Sequence, residues 1–241
     1  MTGDGPTDDA DDRALLSLFD AITAGDDLAV DRLLGASPEL AVRSLRTGAS
    51  RHGDGKYFLT AIRHHVYAGD TALHVAAAAH RRITVELLVR CGADARARNR
   101  RGAQPLHYAA DGSPGADHWD PLAQAEVVTF LIGAGADPDA TDTSGVAPIH
   151  RAVRTRSALA VGALLQHGAT PRLTNGSGST PLHLAVQSTG RSNAGSDESK
   201  EGQAQIIAVL LEHGARPTDI DARGRTVAAA ASSDWIRPLL G

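Results

Sequence analysis

The sequence predicts an all-α solenoid of stacked helix-turn-helix units with hairpin fingers between them. Three observations carry this. A short run ending in His recurs as Thr71-Ala-Leu-His74, Gln104-Pro-Leu-His107, Ala147-Pro-Ile-His150 and Thr180-Pro-Leu-His183. Each His lies five residues after a Gly: Gly69, Gly102, Gly145 and Gly178. A second landmark, Gly-Ala, follows each run at Gly92, Gly135, Gly168 and Gly214. Self-similarity at a fixed period of this length marks a repeat architecture, in which each unit buries its apolar face only by stacking on its neighbours.

Spacing defines the elements. The His-to-His separations are 33, 43 and 33 residues. His to Gly-Ala takes 18 residues in the first and third units, but 28 and 31 in the second and fourth. The period is therefore 33, with ten and thirteen extra residues between the His and the Gly-Ala. Both extra stretches, 112–121 and 188–202, are rich in turn formers and polar residues. The first helix of each unit must end before them and the second begin after them. Second helices are expected over 83–91, 123–132, 158–167 and 203–213, each closed by the following Gly in a left-handed conformation. Pro at the start of a first helix loses no helical hydrogen bond. Ala76-Ala77, Ala109-Ala110 and Ala152 allow close helix approach.

The pattern of a Gly, then Thr-Pro-Leu-His-x-Ala-Ala, a second helix and Gly-Ala-Asp, with Asp or Asn three residues before the next Gly, resembles the ankyrin repeat. The Asp or Asn position is Asn99, Asp142, Asn175 and Asp221. The resemblance is close over 66–241 and loose over 12–40. It implies two antiparallel helices per repeat, a projecting finger between repeats, and protein binding as the usual task.

Domain boundaries follow from the same frame. Residues 1–13 read as an acidic disordered tail, and 14–241 as one domain. Within it, 14–41 is a degenerate N-terminal repeat with Phe19 in the His slot, and 42–65 an enlarged finger. Repeats occupy 66–98, 99–141, 142–174 and 175–220, and 221–241 is a truncated C-terminal cap closed by Trp235. In the finger, Tyr57, Phe58, Leu59 and Ile62 are expected to fold back and seal the cap, since Phe58, Leu59 and Ile62 have helical spacing. Arg51, Lys56, Tyr57, Phe58, Arg63, His64 and His65 leave recognition open as its alternative role. The repeated His is expected to bond its ring to backbone and Thr groups, tying repeats together.

Composition limits function. The net charge is −4, all of it attributable to the tail with Asp4, Asp8, Asp9, Asp11 and Asp12 against Arg13. A neutral body argues against nucleic-acid binding, which needs a basic field. No apolar run approaches the length of a membrane span. The start resembles no secretory or transit segment, and the expected location is the cytoplasm. One Cys excludes an internal disulfide framework. Cys91, before Gly92, is expected in the core.

Candidate chemical motifs fail on spacing. Gly53-Asp-Gly55-Lys56 lacks the leading Gly and the trailing Ser or Thr of a phosphate loop. His52, His64, His65 and His118 have no Cys or carboxylate at metal-ligand spacing. Asp137, Asp139 and Asp142 lack the Gly and closing Glu of a calcium loop and read as turn formers. There is no Gly-x-Ser-x-Gly turn. No catalytic residue, metal or cofactor is assigned.

Carried residue by residue, the family's contact positions fall on Arg100, Arg101, Thr143, Ser177, Arg223 and Arg225 at the fingers. At the ends of first helices they fall on Asp111, Arg154, Thr155 and Gln187. The groove so drawn is Arg-rich, and Arg is a common binding hot spot. The expected function is non-catalytic binding of a protein with an acidic surface by a monomeric chain. An anionic small molecule or nucleic acid in the same groove, an enzyme built on the long inserts, and masking of the groove by the acidic tail are the rival readings.

Overall fold

The computed structural model describes residues 6–50, 55–112, 119–187 and 197–241. It is a right-through stack of helix pairs. Helices α1 (Pro6–Ala24) and α2 (Asp27–Ala36) form the first pair, followed by the long finger. The pairs α3 (Ala72–Ala78) with α4 (Arg82–Arg90), α5 (Pro105–Ala110) with α6 (Pro121–Gly133), α7 (Pro148–Arg154) with α8 (Ala158–Gln166), and α9 (Pro181–Ala185) with α10 (Asp197–Glu212) are the four repeats. Helix α11 (Val227–Ala230) and a 3-10 turn (Arg237–Leu240) close the end. First helices stack on first helices and second on second, as α3 on α5, α5 on α7, α4 on α6 and α6 on α8. One apolar core runs from Leu15 to Leu240.

The repeated His explains much of the order. In each repeat its Nδ1 accepts the N–H of the residue three before it: Thr71 at 3.2 Å, Gln104 at 3.1 Å, Ala147 at 3.1 Å and Thr180 at 3.3 Å. That is a helix cap with His in place of the usual Glu. An accepting Nδ1 leaves the proton on Nε2, which donates to a carbonyl of the following finger. The acceptors are Ala103 (3.1 Å), Val146 (3.0 Å), Leu173 (3.0 Å) and Arg225 (3.2 Å). Each ring thus satisfies two backbone groups that burial would otherwise orphan.

The fingers are tight Asx-type turns. Asn99 Oδ1 accepts from the N–H groups of Arg101 and Ala103, and Asp142, Asn175 and Asp221 repeat the pattern. Successive fingers are joined by backbone hydrogen bonds: Arg100 N–H to Ala68 O (2.8 Å), Thr143 N–H to Arg101 O (2.9 Å) and Gly176 N–H to Ser144 O (3.1 Å). Gly69 has φ +88°, and a Cβ there would stand 2.7 Å from the Asn99 Cα, so the turn and the ladder both demand Gly. Gly92 ends the second helix with φ +93°.

Four readings need correction. The stretch 1–13 is not uniformly a disordered tail, because α1 begins at Pro6. Asp12 is buried and accepts from Arg46 N–H, Thr47 N–H and the Thr47 hydroxyl, which fasten it under the long finger. The finger has no α-helix at Phe58 to Ile62, only a 3-10 turn over Thr60–Ile62. It forms a small hairpin, β1 (Phe58–Leu59) antiparallel to β2 (His64–His65), turned through Arg63 at φ +51°. Alternation then buries Leu59 and leaves Phe58 exposed, while Tyr57 is sealed in and shares a 2.6 Å hydrogen bond with Thr47. Cys91 is exposed, because Leu88 and Ala93 take the inward positions on either side of it. Helix α10 starts at Asp197, within the stretch read as insert. At the C-terminus Ile236 and Leu240 are buried, and Trp235 packs half-buried beside them. Arg51, His52, Gly53, Asp54, His118 and most of both inserts lie outside the described residues.

Candidate protein-binding face

Fingers and first helices make one face. On it, the residue after each repeated His is the slot that varies: Val75, Tyr108, Arg151 and Leu184. Tyr108 and Arg151 build the centre of the face. The Tyr108 hydroxyl donates to Asp70 Oδ2 at 2.8 Å and accepts from Asn99 Nδ2 at 2.9 Å. Asn99 Nδ2 also reaches Asp70 Oδ1 at 2.8 Å, and Tyr67 N–H donates to Asp70 at 2.7 Å. Asp70 is fully buried, so these donors replace water around its charge. Burial first, then the Asp70 carboxylate, pushes the Tyr108 phenol well above its ordinary pKa. His64, brought over by the long finger, lies on Tyr108 with ring centres 4.5 Å apart.

Arg151 spans two carboxylates, donating to Asp111 at 2.8 Å and Asp142 at 3.1 Å. Burial opposes its charge, but Asp111 and Asp142 outweigh it and hold the guanidinium pKa above the usual value. For Asp142 burial is likewise outweighed, by the N–H groups of Val146 and Ser144 and by Arg151, so its carboxyl titrates low. Burial lowers His64, and burial with the Arg151 charge brings His107 down to about 3.

Two cavities open beside these residues and share His64, Tyr108 and Asp111 as walls. One, about 370 Å³, is lined also by Tyr67, Asn99, Arg101, Asp142, Arg151 and Arg154. The other, about 540 Å³, lies towards the opposite rim, against Arg63, His80, Trp119 and Thr155. A wider apolar depression of about 1220 Å³ runs across the second helices at Phe130, Leu122 and Leu159.

Among the residues singled out from sequence, Arg101, Asp111 and Arg154 meet at the 370 Å³ cavity. Arg101 lies over the Tyr67 ring and donates to its hydroxyl at 3.0 Å. Arg100 turns into the long finger, over the same ring and onto Ala49 O. The Thr155 hydroxyl is engaged by Arg151 O and Gly112 N–H, which is a structural use. Arg225 forks onto Asp221, whose carboxyl is held at about 2, first by the Arg225 N–H. Thr143 is exposed on its finger, Ser177 and Gln187 are exposed on the last repeat and Arg223 on the C-terminal cap, away from both cavities. Sequence reasoning missed Tyr108, Arg151 and the wedge made by His64. The signal for the first two was present: an aromatic and a cation stand in a slot held by Val75 and Leu184 elsewhere.

Models of ankyrin repeats match residues 18–117 and 122–195, and a single-repeat model matches 177–225. The chain belongs to the ankyrin repeat family. Ankyrin repeats are generally protein-interaction modules. An 82-residue stretch is 38% identical to protein phosphatase 1 regulatory subunit 27 of Homo sapiens, spanning 34% of this ankyrin chain and 46% of that protein. The match thus takes in about half the length of that relative. No helix among the described residues is long and apolar enough to cross a membrane.

Proposed function

We propose that this ankyrin chain is a non-catalytic binding module, a scaffold, adaptor or inhibitor, that holds a protein partner along the fingers and first helices. The observation that carries this is the division of labour on that face. The repeated His rings are consumed by backbone caps, while Arg101 and Arg154 stand at a cavity with their guanidinium groups accessible. The resemblance of part of the chain to a phosphatase regulatory subunit supports a regulatory rather than catalytic role. The reading extends to a monomer acting in the cytoplasm on a partner with an acidic surface, with Thr143, Ser177, Gln187 and Arg223 as further contacts.

Affinity capture from nuclease-treated lysate tests it, using wild type beside an Arg101/Arg154/Arg223 to Ala variant. A protein retained by wild type and lost from the variant supports the face. Equal capture by both forms moves binding elsewhere, and no captured protein overturns the reading.

A further inference from the structure

The 370 Å³ cavity has an excess of donors. Three guanidinium groups line it, Arg101, Arg151 and Arg154, against two carboxylates, Asp111 and Asp142. Those carboxylates are already engaged. Asp111 and Asp142 both accept from Arg151, and Asp142 accepts two backbone N–H groups as well. The cations are less well served. Arg154 is 62% exposed and reaches Asp111 only at 3.7 Å, and Arg101 donates to the neutral hydroxyl of Tyr67. Two lining residues also carry a buried nitrogen without a hydrogen-bond partner among the described residues, Arg151 Nε and His64 Nε2. Native structures leave few such groups, and one cavity here gathers two.

We propose that this cavity receives an Asp or Glu side chain of the bound protein, its carboxylate lying between Arg101 and Arg154. The proposal rests on the reading of this face as the protein-binding face. One formal positive charge in excess matches one carboxylate, and a basic side chain would meet like charge. Arg presents a planar fork suited to carboxylate oxygens. The long finger makes this a recess: His64, set on Tyr108, walls it off on the N-terminal side. Partial exclusion of water strengthens a charged hydrogen bond placed there. The enlarged finger is thus part of the binding site, giving one acidic position of the partner a fixed seat.

A random peptide library displayed on phage, panned on the full chain and on an Arg101→Glu/Arg154→Glu variant, tests this. Wild type is expected to select peptides sharing one acidic position. Changing that position to Asn or Gln should weaken binding by about tenfold or more in fluorescence anisotropy. The variant should select Lys or Arg there instead. Thermal melts confirm that it folds, and an Arg101→Gln/Arg154→Gln pair, expected to lose acidic selection, replaces it if it does not. Selected peptides without a shared acidic position, or acidic peptides that bind the variants as well as wild type, overturn the recess. A library from which wild type retains nothing also overturns it, and the lysate capture then decides whether protein binding at this face falls too.

Discussion

Two adjacent positions of this repeat have opposite histories. His74, His107, His150 and His183 perform one task four times, capping their own helix and tying it to the next finger. The neighbouring slot is apolar in the outer repeats, at Val75 and Leu184, and chemically distinct in the inner ones, at Tyr108 and Arg151. The His bonds backbone, so its job is independent of what surrounds it. The next residue faces whatever the fingers bring, and it can differ without dismantling the stack.

The largest effect should come from breaking the constant position. His107→Ala strands the Gln104 N–H and the Val146 carbonyl in the interior. A loss of about 3 kcal/mol is expected in urea unfolding, from two orphaned groups and a small void.

Acid should test the same position without mutation. His107 titrates near 3 when folded and near 6.5 when unfolded, so the unfolded chain binds the proton first as pH falls. Its contribution to stability is intact above about pH 6.5 and is lost as pH drops towards 3, at up to about 1.4 kcal/mol per pH unit. His74 and His150, also lowered by burial, act in the same direction. Unfolding midpoints that stay level from pH 7 to 5 would contradict this.

Tyr108→Phe sharpens the comparison, since here a variable slot has been drawn into the core. Removing the hydroxyl costs Asp70 one donor and Asn99 one acceptor. The expected loss is about 1–2 kcal/mol, visible as a lower thermal midpoint. No loss would mean that the slot contributes to the face alone.

The fold was legible because its signals are periodic. Gly69, Gly102, Gly145 and Gly178 mark turns that only Gly fits, and the His runs mark helix starts, so each instance reinforces the others. The long finger has no second copy. Its Phe58, Leu59 and Ile62 suit a helix period, yet a two-residue strand pairing through a left-handed Arg63 took precedence. The site was half legible for the same reason. Arg101, Asp111 and Arg154 follow from family positions, whereas the contact of His64 with Tyr108 depends on where an unrepeated loop comes to rest. Asp12 looked like one more solvated carboxylate until its three donors from Arg46 and Thr47 were seen.

The finger ladder has a consequence for anyone who would splice this chain. Ala68, Arg100, Arg101, Thr143, Ser144 and Gly176 are joined backbone to backbone along one edge. The ten- and thirteen-residue additions enter at the far ends of the first helices. Chain length at that rim is decoupled from the spacing of the ladder, as closing a longer surface loop costs little. A reporter or tether grafted between α5 and α6 would leave the distance from one finger to the next unchanged, whereas a single residue added at Gly102 would break the turn that Asn99 closes between Arg101 and Ala103.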